Sequence, residues 1–494
     1  MEEAKEPLIS SGDEILEYPN CPGCVVDRRK EEKRGVPYKE LAYIWFVSLC
    51  TALPQKSMFP YLYFMIRDFG IAKRVENIGF YAGFVGSSFM VGRALTSIPW
   101  GMAADRYGRR PIILIGTLSV AILNMLFGLS SNFWMALSVR FFLGCFNSLL
   151  GSIRAYASEI CREEHRALAI SVVSTSRGIG LVIGPAIGGF FAQPAEKYPN
   201  LFPKNSLFSR FPYFLPCLII SVYAVATFCL CWWIPETLHK HDTRVNDSKG
   251  DSHCKPRDSS NGLKNACADN DSKKEPSSAH GSLFRNRPLM TTIIAYCVFS
   301  LQEIAYSEVF SLWAVSDKKY GGLSFSSQDV GTVLAISGLG LLLFQFLVYP
   351  QVEKYLGPLV VTRLSAIVSI PLLSSFPYIA MLSGLALYLV LNIATTLRDA
   401  LSVSLITGIF ILLNNAVPQH RRGAANGLSM TAMSIFKAVG PAGGGAVFSW
   451  AQKHRDAAFL PGNHMVFFAL NLVQFVGLIL TFKPFLALPE RPHR

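Results

Sequence analysis

Apolar residues along this chain are gathered into blocks of about 20 or more, separated by short polar breaks. The blocks fall at roughly 41–66, 77–99, 111–130, 133–156, 168–192 and 211–235, and resume at about 289–315, 329–350, 358–381, 384–414, 424–450 and 464–488. A helix rises about 1.5 Å per residue, so each block is long enough to cross a hydrocarbon core of ~30 Å. The pattern predicts an all-α polytopic membrane protein with twelve transmembrane helices in two six-helix bundles, 41–235 and 288–488. Between the bundles, 236–287 is rich in Ser, Asp, Lys and Asn and reads as a disordered linker. Residues 1–40 and 489–494 are polar tails. The first lacks the apolar stretch of a cleavable signal, so the first spanning helix is expected to target the chain.

The two halves repeat one another. "HRALAISVVSTSRGIGLVIGPAIGGFF" (165–191) aligns without a gap on "RRGAANGLSMTAMSIFKAVGPAGGGAV" (421–447), with Gly184-Pro185 falling on Gly440-Pro441. A weaker match sets "ENIGFYAGFVG" (76–86) against "QDVGTVLAISG" (328–338). Parallel repeats of this kind are the layout of transporters whose bundles rock about a central site.

Composition agrees with a membrane class: 51% of residues are hydrophobic and 16% charged, against about 25% charged in soluble domains. The net charge of +13 does not imply nucleic acid, because its location follows the positive-inside rule. Basic residues crowd the N-terminal tail, the central gap and short breaks such as Arg106/Arg109/Arg110, and these are expected to face the cytoplasm with both termini. Most of the eleven cysteines are scattered singly through apolar runs and give no disulfide framework. No cofactor is expected, and no nucleophile–base pair or phosphate loop suggests an enzyme.

One break carries unusual chemistry. In "WGMAADRYGRRPIIL", Gly101 lets backbones approach closely and Asp105 is placed to meet a helix N-terminus or an arginine. Gly108 relieves the turn, and Arg106, Arg109 and Arg110 complete it, the last two expected to reach groups on the adjoining bundle. Such a latch holds one state of a rocking machine. In "GLVIGPAIGG", Gly180, Gly184 and Gly188 open one helix face to close packing, while Pro185 bends the helix beside Gly189. A plain packing seam is the alternative there.

The charged turn resembles the loop signature of the major facilitator superfamily (G-x-x-x-D-R-x-G-R-R), which implies that fold. "RFFLGCFNSLL" is similar to its fourth-helix motif, whose Arg, here Arg140, is implied in proton coupling. "GLVIGPAIGG" resembles its antiporter motif. With "CPGC" (Cys21, Cys24) and "PETLH" ending at His239, the chain resembles the plant zinc-induced facilitator-like family. That resemblance implies a proton-coupled transporter, in the vacuolar membrane ahead of the plasma membrane, acting as a monomer. The cargoes it implies are potassium, zinc chelators such as nicotianamine, and auxin.

Ionisable residues inside the spans cost about 2.5 to 3.5 kcal/mol each at mid-membrane, so they should face a cavity or a partner. Those singled out are Lys56, Arg93, Arg140, Arg177, Glu303, Glu308, Arg398, Asp399 and Lys437. Six lie on helices one, four, seven and ten, which line the pathway in the superfamily. Glu303 is the first choice as proton carrier, then Asp399, unless Arg398 neutralises it; Glu308 lies roughly 140° from Glu303 around the helix. Permanent ion pairs are the alternative for each acid. Lys56 either contacts cargo or snorkels; facing the pathway, it favours an anionic or zwitterionic cargo. Cys21 and Cys24 have zinc-compatible spacing, with His239 a nearby ligand, or form a reduced tail motif. An uncoupled facilitator and a nutrient sensor on a transporter scaffold remain the alternatives to antiport.

Overall fold

The computed structural model describes residues 21–32, 35–147, 149–203, 205–238, 286–417, 422–454 and 461–483, and the regular elements among them are all helical. The central gap from His239 onward lies outside the described residues. A short helix, α1 (Pro22–Glu32), precedes the first crossing, made of α2 (Tyr38–Lys56) and α3 (Leu62–Asp68). The break between them follows Pro54 and contains Pro60, which has no amide hydrogen to continue a helix. Next come α4 (Ile78–Tyr107), α5 (Arg109–Gly128), α6 (Phe133–Phe146) with α7 (Leu150–Ile160) as one crossing, and α8 (Arg166–Phe191). Two one-turn pieces, α9 (Pro194–Lys197) and α10 (Leu207–Arg210), lead to α11 (Phe214–Cys231).

The second half holds α12 (Arg287–Val315), α13 (Ser327–Leu343), α14 (Tyr349–Ile379), α15 (Gly384–Asn415), α16 (Arg422–Lys453) and α17 (Asn463–Leu480). A wider π-helical turn at Phe344–Val348 carries α13 into α14. Gly357, at φ 75°, then turns the chain back, so the eighth crossing ends there and the ninth starts at Pro358. Gly108, at φ 109°, makes the same corner between α4 and α5. Both corners use a backbone conformation that favours glycine. Among the described residues, the segments long and apolar enough to span a membrane account for ten of the twelve passes, since Ser327–Ile379 covers two. The first and eleventh fall short because Lys56 and its break interrupt one and glycine and alanine dominate the other.

The end carrying the 105–110 turn is here termed the basic end, and the opposite one the far end. At the far end the two halves are clamped by paired seams. A methyl group on Gly189 of α8 would lie 2.7 Å from the α-carbon of Gly331 on α13. Gly83 of α4 and Gly445 of α16 leave no more room, for each faces backbone of the other helix. The Ala442 amide donates across this second seam to Ser87 Oγ at 2.8 Å. The repeat in the sequence is therefore a repeat of function in packing: α8 reaches α13 as α16 reaches α4.

Two features depart from the sequence reading. The CPGC segment does not trail free in a tail: α1 folds against the basic end, with Cys21 4% exposed and Val26 buried beside Ile160 and Cys161. Its hold is polar as well, because Gly23 donates its amide to Leu238 O and Arg162 donates to Lys30 O. Second, Arg109 and Arg110 do not reach the adjoining bundle. Arg109 pairs with Glu159 (3.0 Å) and Asp105 (2.7 Å), and Arg110 donates to Trp232 O, all within the first half. The reason is that a wide cavity separates the bundles at this end.

Candidate functional site

Three connected cavities run between the bundles. The innermost, about 80 Å³, is lined by Lys56, Glu303, Tyr306, Arg398 and Asp399. It shares Lys56 and Glu303 with a second space of about 230 Å³ that adds Arg154, Arg177 and Lys437. Arg154 also lines the third, about 790 Å³, between α4, α7, α8 and α16 toward the basic end. Among the described residues the space therefore tapers from the basic end toward the far-end seams.

Packing explains why Lys56 points into this space. Gly180, Gly184 and Gly188 of α8 lie against Ala52, Lys56 and Ser57, where α2 breaks. No side chain on that face of α8 stands between the helices, so α2 can end its helix there and present the lysine. Pro185 lines the innermost cavity, and Gly189 makes the α13 seam. The motif read in the sequence thus joins three crossings from both halves.

Glu303 on α12 accepts from Lys437 Nζ of α16 at 2.9 Å. On α15, Arg398 pairs with Asp399 at 3.1 Å and donates to Gln302 Oε1 at 3.1 Å, with its guanidinium 3.5 Å from the Tyr306 ring centroid. Lys56 has no acid within ion-pair distance among the described residues; its ammonium lies 5.6 Å from the Phe59 ring. Counting all three cavities, the described lining carries Lys56, Arg93, Arg154, Arg177, Arg398 and Lys437 against Glu303 and Asp399. The pathway is strongly electropositive, and an anionic group entering it gains what a bare cation loses.

Glu308 does not share this space. Its side chain lies in the seam beside Gly86 and Pro441, 1% exposed, with Oε2 lacking a hydrogen-bond partner among the described residues. Arg140 is fully buried, its guanidinium between Phe89 (4.8 Å) and Phe127 (5.1 Å), and it donates to Pro54 O at 3.0 Å. It accordingly caps the broken end of α2, and Asn147 does the same at Thr51 O.

At the basic end, Glu236 Oε1 accepts from the Arg109 amide at 2.9 Å and Oε2 from the Arg110 amide at 3.1 Å, placing an anion on the N-terminus of α5. Gly108 has its α-carbon against that carboxylate and Arg106 stacks on Tyr107 at 5.6 Å, but among the described residues no backbone approaches Gly101, which lines the large cavity with nothing within 4 Å of where a side chain would begin. Cys24 is half-buried near Cys21, and neither forms a disulfide. His239 lies outside the described residues, and among those described no three metal-binding side chains gather. Sequence reasoning missed Arg154 and Lys197, and it took Glu236 only as part of the PETLH motif, without its place on the N-terminus of α5. Arg154 had a signal, a basic residue inside the fourth apolar run. The other two lie beside spans and acquire partners only in three dimensions.

Comparison with known proteins agrees with this architecture. The Major Facilitator Superfamily model matches residues 44–441. A probable peptide/nitrate transporter of Arabidopsis thaliana is 65% identical over 95% of this chain and 96% of its own length. The Arabidopsis protein zinc induced facilitator 1 is 56% identical over 99% of this chain and all of its own. Among solved structures, a D-xylose–proton symporter superposes with a TM-score of 0.66 at 13% identity, covering 91% of this chain and 98% of that one, a likeness of fold. Two seamed bundles around a charged central cavity, together with these relatives, make the chain a member of the major facilitator superfamily, in its zinc-induced facilitator group.

Proposed function

We propose that this transporter moves a small zwitterionic organic solute between its bundles by alternating access, in exchange for protons. The observation that carries the reading is the charge of the cavity, where Lys56 stands unpaired beside the Glu303–Lys437 and Arg398–Asp399 pairs. A zwitterion satisfies both signs: its carboxylates meet Lys56 and Lys437, and its ammonium meets Glu303. Proton and cargo ammonium then compete for one carboxylate, which is the condition for exchange. A cargo without an ammonium behaves oppositely, because protonating Glu303 frees Lys437 for the anion and the two move together. Potassium alone is disfavoured by the excess of fixed cations, whereas an amino-carboxylate chelator of the nicotianamine type fits. The name of one relative, a probable peptide/nitrate transporter, includes a cargo class, peptides, that carries both signs of charge. We place the basic end and both termini in the cytoplasm, following the positive-inside rule, and the protein in the vacuolar membrane as a monomer.

One observation favours an uncoupled carrier instead: both cavity acids are already ion-paired. Sealed proteoliposomes enclosing a pH-sensitive dye separate these readings, with potassium, zinc, nicotianamine and an auxin added in turn. Exchange predicts proton movement opposite to nicotianamine, abolished in Glu303→Gln. Cargo flux with a silent dye means an uncoupled carrier, and co-directional proton movement means symport.

A further inference from the structure

A second cluster of charge reaches from the large cavity toward the basic end to the edge of the central pairs. Arg93 of α4 and Arg154 of α7 line it, and Arg154 also lines the adjoining space with Arg177 of α8. Arg177 lies within electrostatic reach of both other arginines. No acid lines the large cavity among the described residues. Neither Arg154 nor Arg177 has an acidic partner within ion-pair distance among them, and the buried Nε of Arg154 has no acceptor. The acid closest in effect to Arg177 is Glu303, already held by Lys437. Across the gap the second bundle offers Tyr296, a phenol whose hydroxyl donates to the Met430 sulfur at 4.0 Å.

Like charges collected in a part-buried space repel one another and lose hydration, so the arrangement is unfavourable unless something supplies compensating negative charge. Guanidinium groups suit flat, bidentate oxyanions, and several of them select for multiple charge. A cavity of about 790 Å³ lies within the range that holds a small organic ligand, roughly 300–1,000 Å³. We infer that Arg93, Arg154 and Arg177 form a polyvalent-oxyanion site in the vestibule, on the basic-end side of the central pairs. Its ligand is a di- or tricarboxylate or a phosphate group, either free in solution or borne by a lipid headgroup. The inference does not depend on proton coupling or on the identity of the transported cargo.

The test uses the full-length protein in phosphatidylcholine nanodiscs, with citrate and then inorganic phosphate titrated by calorimetry at two salt concentrations. Wild type should bind citrate more tightly than phosphate, with affinity falling as salt rises. Arg154→Gln and Arg177→Gln should each weaken citrate binding about tenfold or more, the loss of roughly one charge-assisted contact. Arg154→Lys keeps the charge and should recover part of it, which separates lost binding from a misfolded variant. Lys318→Gln, on the exposed far-end loop, should leave citrate affinity unchanged, and Lys56→Gln should weaken it less than either arginine variant. Repeating the titration with phosphatidylglycerol in the discs identifies the source: lost citrate binding means headgroups fill the site, and unchanged binding means a soluble anion does. Wild-type affinity in both Arg→Gln variants, or loss only in Lys56→Gln, would overturn the assignment.

Discussion

Glu303 and Glu308 sit one and a half turns apart on a single helix, yet the fold gives them opposite surroundings. Glu303 faces water-accessible space and a lysine; Glu308 is sealed in the seam between α4, α12 and α16. Their arc around the helix was legible in the sequence, but the partner of Glu303 was not, because Lys437 comes from a crossing far along the chain. The pair also offers a sharp experiment. If Glu303 and Lys437 serve only as structural ballast, Glu303→Gln with Lys437→Met should restore stability and coupled flux lost in either single variant. If Glu303 binds the proton, thermal stability should recover in the double variant while dye-reported coupling stays absent. Breaking one side of a part-buried pair costs about 3 kcal/mol or more at the fully buried extreme. These groups are roughly a quarter exposed, so a smaller stability change is expected.

Single helices gain their roles from what closes them at the far end. Lys197 of α9 donates to Gly189 O (2.5 Å) and to Ser327 Oγ (2.7 Å), tying the end of α8 to the start of α13 across the two halves. Burial, partly opposed by Asp329 and Glu196, lowers its pKa to about 8. Below that value the ammonium is charged whether the far end is closed or open, so its contribution to closure does not vary with pH. Above it the closed form holds fewer protons than the open one, and closure strengthens as pH rises toward the ordinary lysine value. Spin labels placed across the far-end gap should therefore report a constant closed population from pH 5 to 7 and a rising one above about 8. Lys197→Met should flatten that rise and increase opening throughout. A pH dependence between 5 and 7 that vanishes in Lys197→Met would contradict this account. Length, apolar blocks and proline breaks made the crossings legible. A bond between a loop lysine and a carbonyl left near the end of another helix has no periodic signature, and only packing reveals it.

At the scale of the molecule, the twelve crossings, the repeat and the glycine face of α8 could be read from spacing, because membrane helices must be long, apolar and close-packed through small residues, whereas the helices that meet at the far-end seams could not. What spacing also could not give was the conformational state. The arginines of the 105–110 turn were expected to bridge the bundles, and their actual partners, Glu159 and Trp232 O, lie in their own half. That difference belongs to a state rather than to a sequence: with the basic end parted, the opposite bundle is out of reach. The tapered cavity also gives the protein a direction in a sense apart from its energetics. A rigid polyanion too wide for the inner chamber should lodge against Arg154 and Arg177 from one side of the membrane, since among the described residues the other side is closed by glycine seams. Such a compound should act as a cork with sidedness, arresting flux when enclosed with the basic end and leaving it untouched when added to the opposite compartment. Vesicles of uniform orientation would report this directly, and equal inhibition from both sides would mean that the seams part widely enough to expose the same arginines there.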